Sequence, residues 1–89
     1  MVLRLRNDPG SRVEVYTYTD NVGSASYNRG LSEDRAEIIK QLFIDRGIDA
    51  SRIDTYGMGE NNPVADNTTE AGRSQNRRAE IHFVQAPVN

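Results

Sequence analysis

Between Tyr16 and Ala36 the chain reads YTYTDNVGSASYNRGLSEDRA, and Asp20, Asn28 and Arg35 in that stretch have the chemistry to hold a charged ligand. A carboxylate leaves the end of one element, and a guanidinium appears on the first turn of the next. That arrangement can hold a molecule carrying both an ammonium and a carboxylate. Arginine suits the second task because its flat fork of donors matches a carboxylate, whereas lysine offers a point charge. The plainer reading of Arg35 is an ion pair with Asp20 that ties loop to helix. Arg35 falls on the same helical stripe as Ile38, Ile39 and Leu42, where an unpartnered charge is costly. Asp20 is the nearest acid outside that helix.

A second grouping is Asn76-Arg77-Arg78. Consecutive residues at a strand start point to opposite faces, so at most one of the two arginines can reach a given site. Their plainer reading is pairing with loop carbonyls and carboxylates, with Asp66 or Glu70 as partners. Catalytic arrangements are missing from the sequence. Gly57-Met58-Gly59 lacks the spacing and the following helix of a phosphate loop. The single histidine, His82, sits mid-strand on the same face as Glu80 and reads as solvent-facing. Asp8, Asp20, Glu33 and Asp34 form no recognisable acid pair. No enzyme, cofactor or metal site is expected.

The elements that must position these residues follow from periodicity. Arg12 to Tyr18 alternates as a strand, with Val13, Val15 and Thr17 on one face and Glu14, Tyr16 and Tyr18 on the other. Asn7 to Ser11 is a turn containing Pro9-Gly10, and Met1 to Arg6 reads as the tail of an element. A helix starts between Ser26 and Ser32, with Ser32 as a good N-cap. Its apolar positions are Leu31, Ile38, Ile39, Leu42 and Phe43, and Gly47 closes it. A second strand runs from Arg52 to Tyr56, ended by two close glycines that suggest a bulge or a close backbone approach. Glu60 to Thr69 is a polar loop plugged down by Val64. Thr68 or Thr69 caps a short helix over Glu70 to Asn76, weakened by Gly72. Arg77 to Val84 is the last strand, with Ala79, Ile81 and Phe83 on one face. The sum is an α+β two-layer sandwich: helices packed on one face of a small mixed β-sheet.

At 89 residues the chain reads as one domain, residues 1–89, with a modest core. The mean hydropathy is −0.71, so the surface is very polar. A net charge of −2 gives no pull toward nucleic acid or anionic membrane. Ten of the eleven basic residues are arginine. There is no cysteine, which excludes disulfides and thiolate metal sites. No apolar run has the length of a membrane span.

The fixed spacings carry a resemblance. Thr19-Asp20-Asn21-x-Gly23, Tyr27-Asn28-x-x-Leu31-Ser32-x-x-Arg35-Ala36, Gly57-x-Gly59-Glu60-x-x-Pro63 and Gly72-Arg73-x-x-Asn76-Arg77-Arg78-x-Glu80-Ile81 together resemble the signature of the OmpA-like domain. The match extends from Val13 to Ile81. The resemblance implies a noncatalytic module that binds peptidoglycan through the diaminopimelate residue of its stem peptide. It also implies a place at the periplasmic face of the bacterial outer membrane, in a larger exported protein. The family's aspartate falls on Asp20 and its arginine on Arg35, with further contacts at Thr19, Asn28, Leu31 and Arg77. Two departures stand out. Thr17 replaces a usual glycine, which crowds the site unless its φ is negative. The family fold also begins with a strand and a long helix, of which Met1 to Arg6 would be only the last turn. That shortening predicts an open sheet edge and a homodimer or strand-exchanged assembly. The alternative function is an assembly fragment that makes protein contacts, with the wall site impaired.

Overall fold

The computed structural model describes residues 1–87. Seven elements follow in order: α1 (Val2–Asn7), β1 (Arg12–Tyr18), α2 (Ala25–Asp45), a 3₁₀ turn (Ala50–Arg52), β2 (Ile53–Gly57), α3 (Glu70–Asn76) and β3 (Arg78–Val84). The sheet order is β2-β1-β3. β1 runs parallel to β2, with Val13 beside Ile53, and antiparallel to β3, with Val15 beside Ile81. This is the expected two-layer α+β arrangement, with three strands among the described residues.

The alternation in β1 has the anticipated consequence. Val13, Val15 and Thr17 are buried under α2. With Leu5, Ala36, Phe43, Ile48 and Ile53, the two valines form the core. Leu5 makes the six-residue α1 an anchored element, since it is fully buried. The outer sheet face carries Tyr16 stacked on Tyr56 at 4.7 Å, with the edge of His82 against Tyr16.

Helix α2 differs from expectation in two ways. It begins earlier, with Ser24 as N-cap accepting from the Tyr27 amide. Ser32 lies inside the helix and is fully buried, donating to the Arg29 carbonyl and accepting from the Gly59 amide at 2.8 Å. Gly57 permits this approach, since a Cβ there would stand 2.5 Å from the Glu33 amide nitrogen. The buried face of α2 also differs. Asn28, Ser32, Ala36 and Phe43 face inward, while Ile38 is 64% and Leu42 50% exposed. The helix packs over β2 and β1. Ile38 and Leu42, spaced by four, therefore fall on its flank toward β3, where no further helix covers the sheet among the described residues.

Two polar side chains hold the loops. The Arg52 guanidinium donates to the carbonyls of Leu5 (2.6 Å), Asp8 (2.9 Å) and Ser11 (2.9 Å) and to Ser11 Oγ. It thus ties α1 and the Pro9-Gly10 turn to the start of β2. Asn76, fully buried, accepts from the amides of Val64 and Ala65 and donates to Ala65 O and Asn67 Oδ1. The expected plug, Val64, is 59% exposed, so Asn76 secures this loop by hydrogen bonds. Gly72 is required where α3 meets the same loop, because a Cβ would lie 1.8 Å from the Asp66 carbonyl oxygen.

Candidate functional site

β1 ends at Tyr18, and the chain turns through Thr19-Asp20 into the loop before α2. Thr19 is buried; its amide donates to the Gly59 carbonyl at 2.7 Å and its hydroxyl to the Asp20 carbonyl. Asn28, also buried, donates to the carbonyls of Asp20 (3.3 Å) and Val22 (3.1 Å). These two side chains shape the loop that presents Asp20. Leu31 is half-buried on α2.

The Asp20 carboxylate is held at both oxygens. Oδ1 accepts from the Val22 amide at 3.0 Å, and Oδ2 accepts from Arg77 Nη1 at 2.8 Å. The Arg77 hydrogen bond, and after it the Val22 amide, hold the Asp20 carboxyl below its ordinary value. Arg77 bridges onward, donating Nη2 to Glu70 Oε1 at 2.6 Å. That contact lowers the Glu70 carboxyl as well.

The Arg35–Asp20 ion pair, the plainer reading of Arg35, is absent among the described residues, and Arg77 pairs with Asp20 instead. Strand β3 begins at Arg78, so Arg77 sits in the bend before it and reaches back to Asp20 across the sheet end. Arg35 is exposed on α2, on the flank with Ile38 and Leu42 and not in the core. It has no ion pair among the described residues. Arg35 and Arg77 share an open cavity of about 300 Å³, with Thr17, Ile38, Ile39, Arg78 and Ala79 as the other walls. Asp20 is joined to this cavity through its ion pair with Arg77. Arg78 also borders this cavity, but its guanidinium donates to Glu80 at 2.8 Å and lies 3.7 Å over the Tyr18 ring. The two guanidinium groups thus take different acids, although both residues border the cavity.

Thr17 does not carry a positive φ, and its side chain is buried against α2, donating its hydroxyl to the Ser32 carbonyl. The threonine joins strand to helix on the floor of the cavity. Asp66, a suggested arginine partner, instead accepts from the amide and hydroxyl of Thr68. His82 is half exposed beside Glu80, as its strand position predicts. Among the described residues no cluster of His, Cys, Asp or Glu could hold a metal, and no helix is long and apolar enough to cross a membrane.

Comparison with known proteins places these features in a family context. The OmpA family model matches residues 1–77. Outer membrane porin F of Pseudomonas fluorescens is 50% identical over 72 residues, which cover 81% of this chain and 22% of that protein. The peptidoglycan-binding protein ArfA of Mycobacterium tuberculosis is 44% identical over 78 residues, covering 88% of this chain and 24% of its own length. Among solved structures, the peptidoglycan-associated lipoprotein of Burkholderia pseudomallei superposes with a TM-score of 0.86 at 28% identity, over 92% of this chain and 70% of that one. The chain spans about a quarter of the length of these two relatives.

Proposed function

Because the chain belongs to the OmpA family, we propose that it binds peptidoglycan noncovalently, through the free amino-acid end of a diaminopimelate-type stem peptide. The observation that carries this reading is Arg35, exposed and without an ion pair among the described residues, lining the same cavity as Arg77, whose guanidinium holds the nearly buried Asp20 carboxylate. In this reading the ligand's ammonium goes to Asp20 and its carboxylate to Arg35 by a two-pronged bond. Arg77 then leans on Glu70, which already accepts from it. Thr19, Asn28 and Leu31 set the loop and helix around the ligand and need not touch it. The activity is retention with no bond made or broken. The module would serve a larger envelope protein at the periplasmic face of the outer membrane, in keeping with relatives described as an outer membrane porin and an outer-membrane lipoprotein.

Co-sedimentation with purified diaminopimelate-type sacculi tests this. Wild type is expected in the pellet, with Asp20→Ala and Arg35→Ala in the supernatant. A folded wild type that stays in the supernatant overturns the proposal. A second reading, a module that assembles with protein, is favoured by one observation: the exposed apolar flank of Leu3, Ile38, Leu42 and Ile81.

A further inference from the structure

The Asp20–Arg77 pair is one link in a longer run of hydrogen bonds whose far end lies on α3. Glu70, Arg73 and Arg77 are spaced by three and then four, which sets their side chains on one face of α3 and its C-cap. Glu70 opens the helix, next to the Thr69 cap. Arg73 anchors it: Nη1 donates to the Asn67 carbonyl at 3.1 Å, and Nε donates to Glu70 Oε2 at 3.2 Å. The other Glu70 oxygen, Oε1, accepts from Arg77 Nη2 at 2.6 Å. Of the Arg77 guanidinium, Nη1 alone bonds Asp20, at 2.8 Å.

A guanidinium and a carboxylate otherwise favour the two-pronged pair, with two parallel N–H···O bonds. Asp20 has room for it. Each of its oxygens carries two lone pairs, and the Val22 amide is the other donor to its carboxylate. Glu70 draws the second nitrogen away. Asp20 is thus paired by a single charge-assisted bond, and Arg77 already holds a second acid. An ammonium arriving at Asp20 displaces one bond and strands no charge. Without Glu70 it would displace two, and the guanidinium would lose its last carboxylate.

We propose that Glu70 is a positioning residue: it holds the Arg77 fork half off Asp20 and so keeps that carboxylate open to the ligand's ammonium. The inference rests on the wall-binding reading above. Glu70 touches no ligand in it, since both its oxygens are engaged by Arg73 and Arg77. The Glu70 side chain is 67% exposed, so its effect is small beside that of Asp20 or Arg35.

Affinity for purified diaminopimelate-type sacculi is expected to fall about two- to fivefold in Glu70→Gln. Glu70→Asp keeps the charge but draws it back by one methylene, and it should fall as well. A bare charge effect would leave Glu70→Asp at the wild-type value. In an Arg77→Gln background, adding Glu70→Gln should change nothing further, because no fork remains to be positioned. A second readout needs no wall. Carbon NMR titration should place the Asp20 carboxyl lower in Glu70→Asp than in wild type, as the freed fork closes on Asp20. Circular dichroism checks that each variant is folded. An Asp20 carboxyl that does not move overturns the proposal, whether or not the wall is held. So does an equal loss of affinity from Glu70→Gln with and without Arg77. A wild type left in the supernatant while the Asp20 carboxyl moves as expected would instead overturn the wall-binding reading and support the placement of Arg77 by Glu70.

Discussion

Arginines sit at both ends of the sheet, and they do opposite things. At the β2 start, Arg52 gives all its bonds to neutral acceptors: three backbone carbonyls and a serine hydroxyl. At the β1 end, Arg77 gives its bonds to two carboxylates, and Arg35 has no ion pair among the described residues. Backbone carbonyls cannot leave, so Arg52 is a permanent tie between segments 40 or more residues apart. Carboxylates can accept another cation, and an exposed guanidinium can accept another anion. In the proposed reading, the acceptors of Arg52 and Arg77 mark the first as scaffold and the second as site.

The comparison breaks most sharply at Arg52. Arg52→Ala takes a donor from the Leu5, Ser11 and Asp8 carbonyls, of which only Asp8 O keeps others, the Ser11 amide and hydroxyl, and a loss of about 2–3 kcal/mol is expected in urea unfolding. Retention on sacculi, measured per folded molecule at low temperature, is expected to stay. A variant that unfolds normally but loses retention would assign Arg52 to the wrong class. Next comes the site itself. Arg35→Ala is expected to lower wall affinity about tenfold or more, while stability moves by no more than about 0.5 kcal/mol. A large stability loss in this variant would mean that Arg35 serves the fold.

Acid separates the two ends by a smaller margin. The Asp20 carboxyl sits below its ordinary value of 3.8 because of Arg77 and the Val22 amide. A depressed carboxyl contributes stability that is present above its unfolded value and lost as pH falls through its folded value. Tm is therefore expected to be level from neutral pH to about pH 5 and to decline below about pH 4. Asp20→Asn should flatten part of that decline, and Arg52→Ala should leave its shape alone. The smallest effect is expected from Arg35→Lys, which keeps the charge and loses the fork. Its retention should fall between wild type and Arg35→Ala.

Much of this was legible in the chain, and the rest has identifiable causes. Strand β1 was readable residue by residue because one buried face enforces alternation. Helix α3 was readable because Thr69 caps it, accepting from the Gly72 amide. The pairing of Arg77 with Glu70 was among those the sequence offered. Three features escaped. Ser32 looks like a cap but is a buried contact to Gly59, since a small hydroxyl serves either role. Ile38 and Leu42 match a core stripe, yet the helix turns Ala36 inward and leaves them on the β3 flank. Arg77 is 57 positions from Asp20, while Arg35 is only 15 away, so proximity along the chain favoured the wrong partner. Hydrogen bonds between distant segments leave no periodic trace, and the Asn76 loop and the Arg52 tie are of that kind.

The bridge of Arg77 between Asp20 and Glu70 has one more consequence. In the proposed reading, an arriving ammonium finds Asp20 already carrying a cation. Arg77 yields one hydrogen bond and keeps Glu70, so Asp20 has the same number of ion pairs before and after. Binding at that carboxylate is then ion exchange and not net neutralisation. Only Arg35 gains a new pair, so wall affinity should fall with added salt with the slope of a single charge contact, not of two.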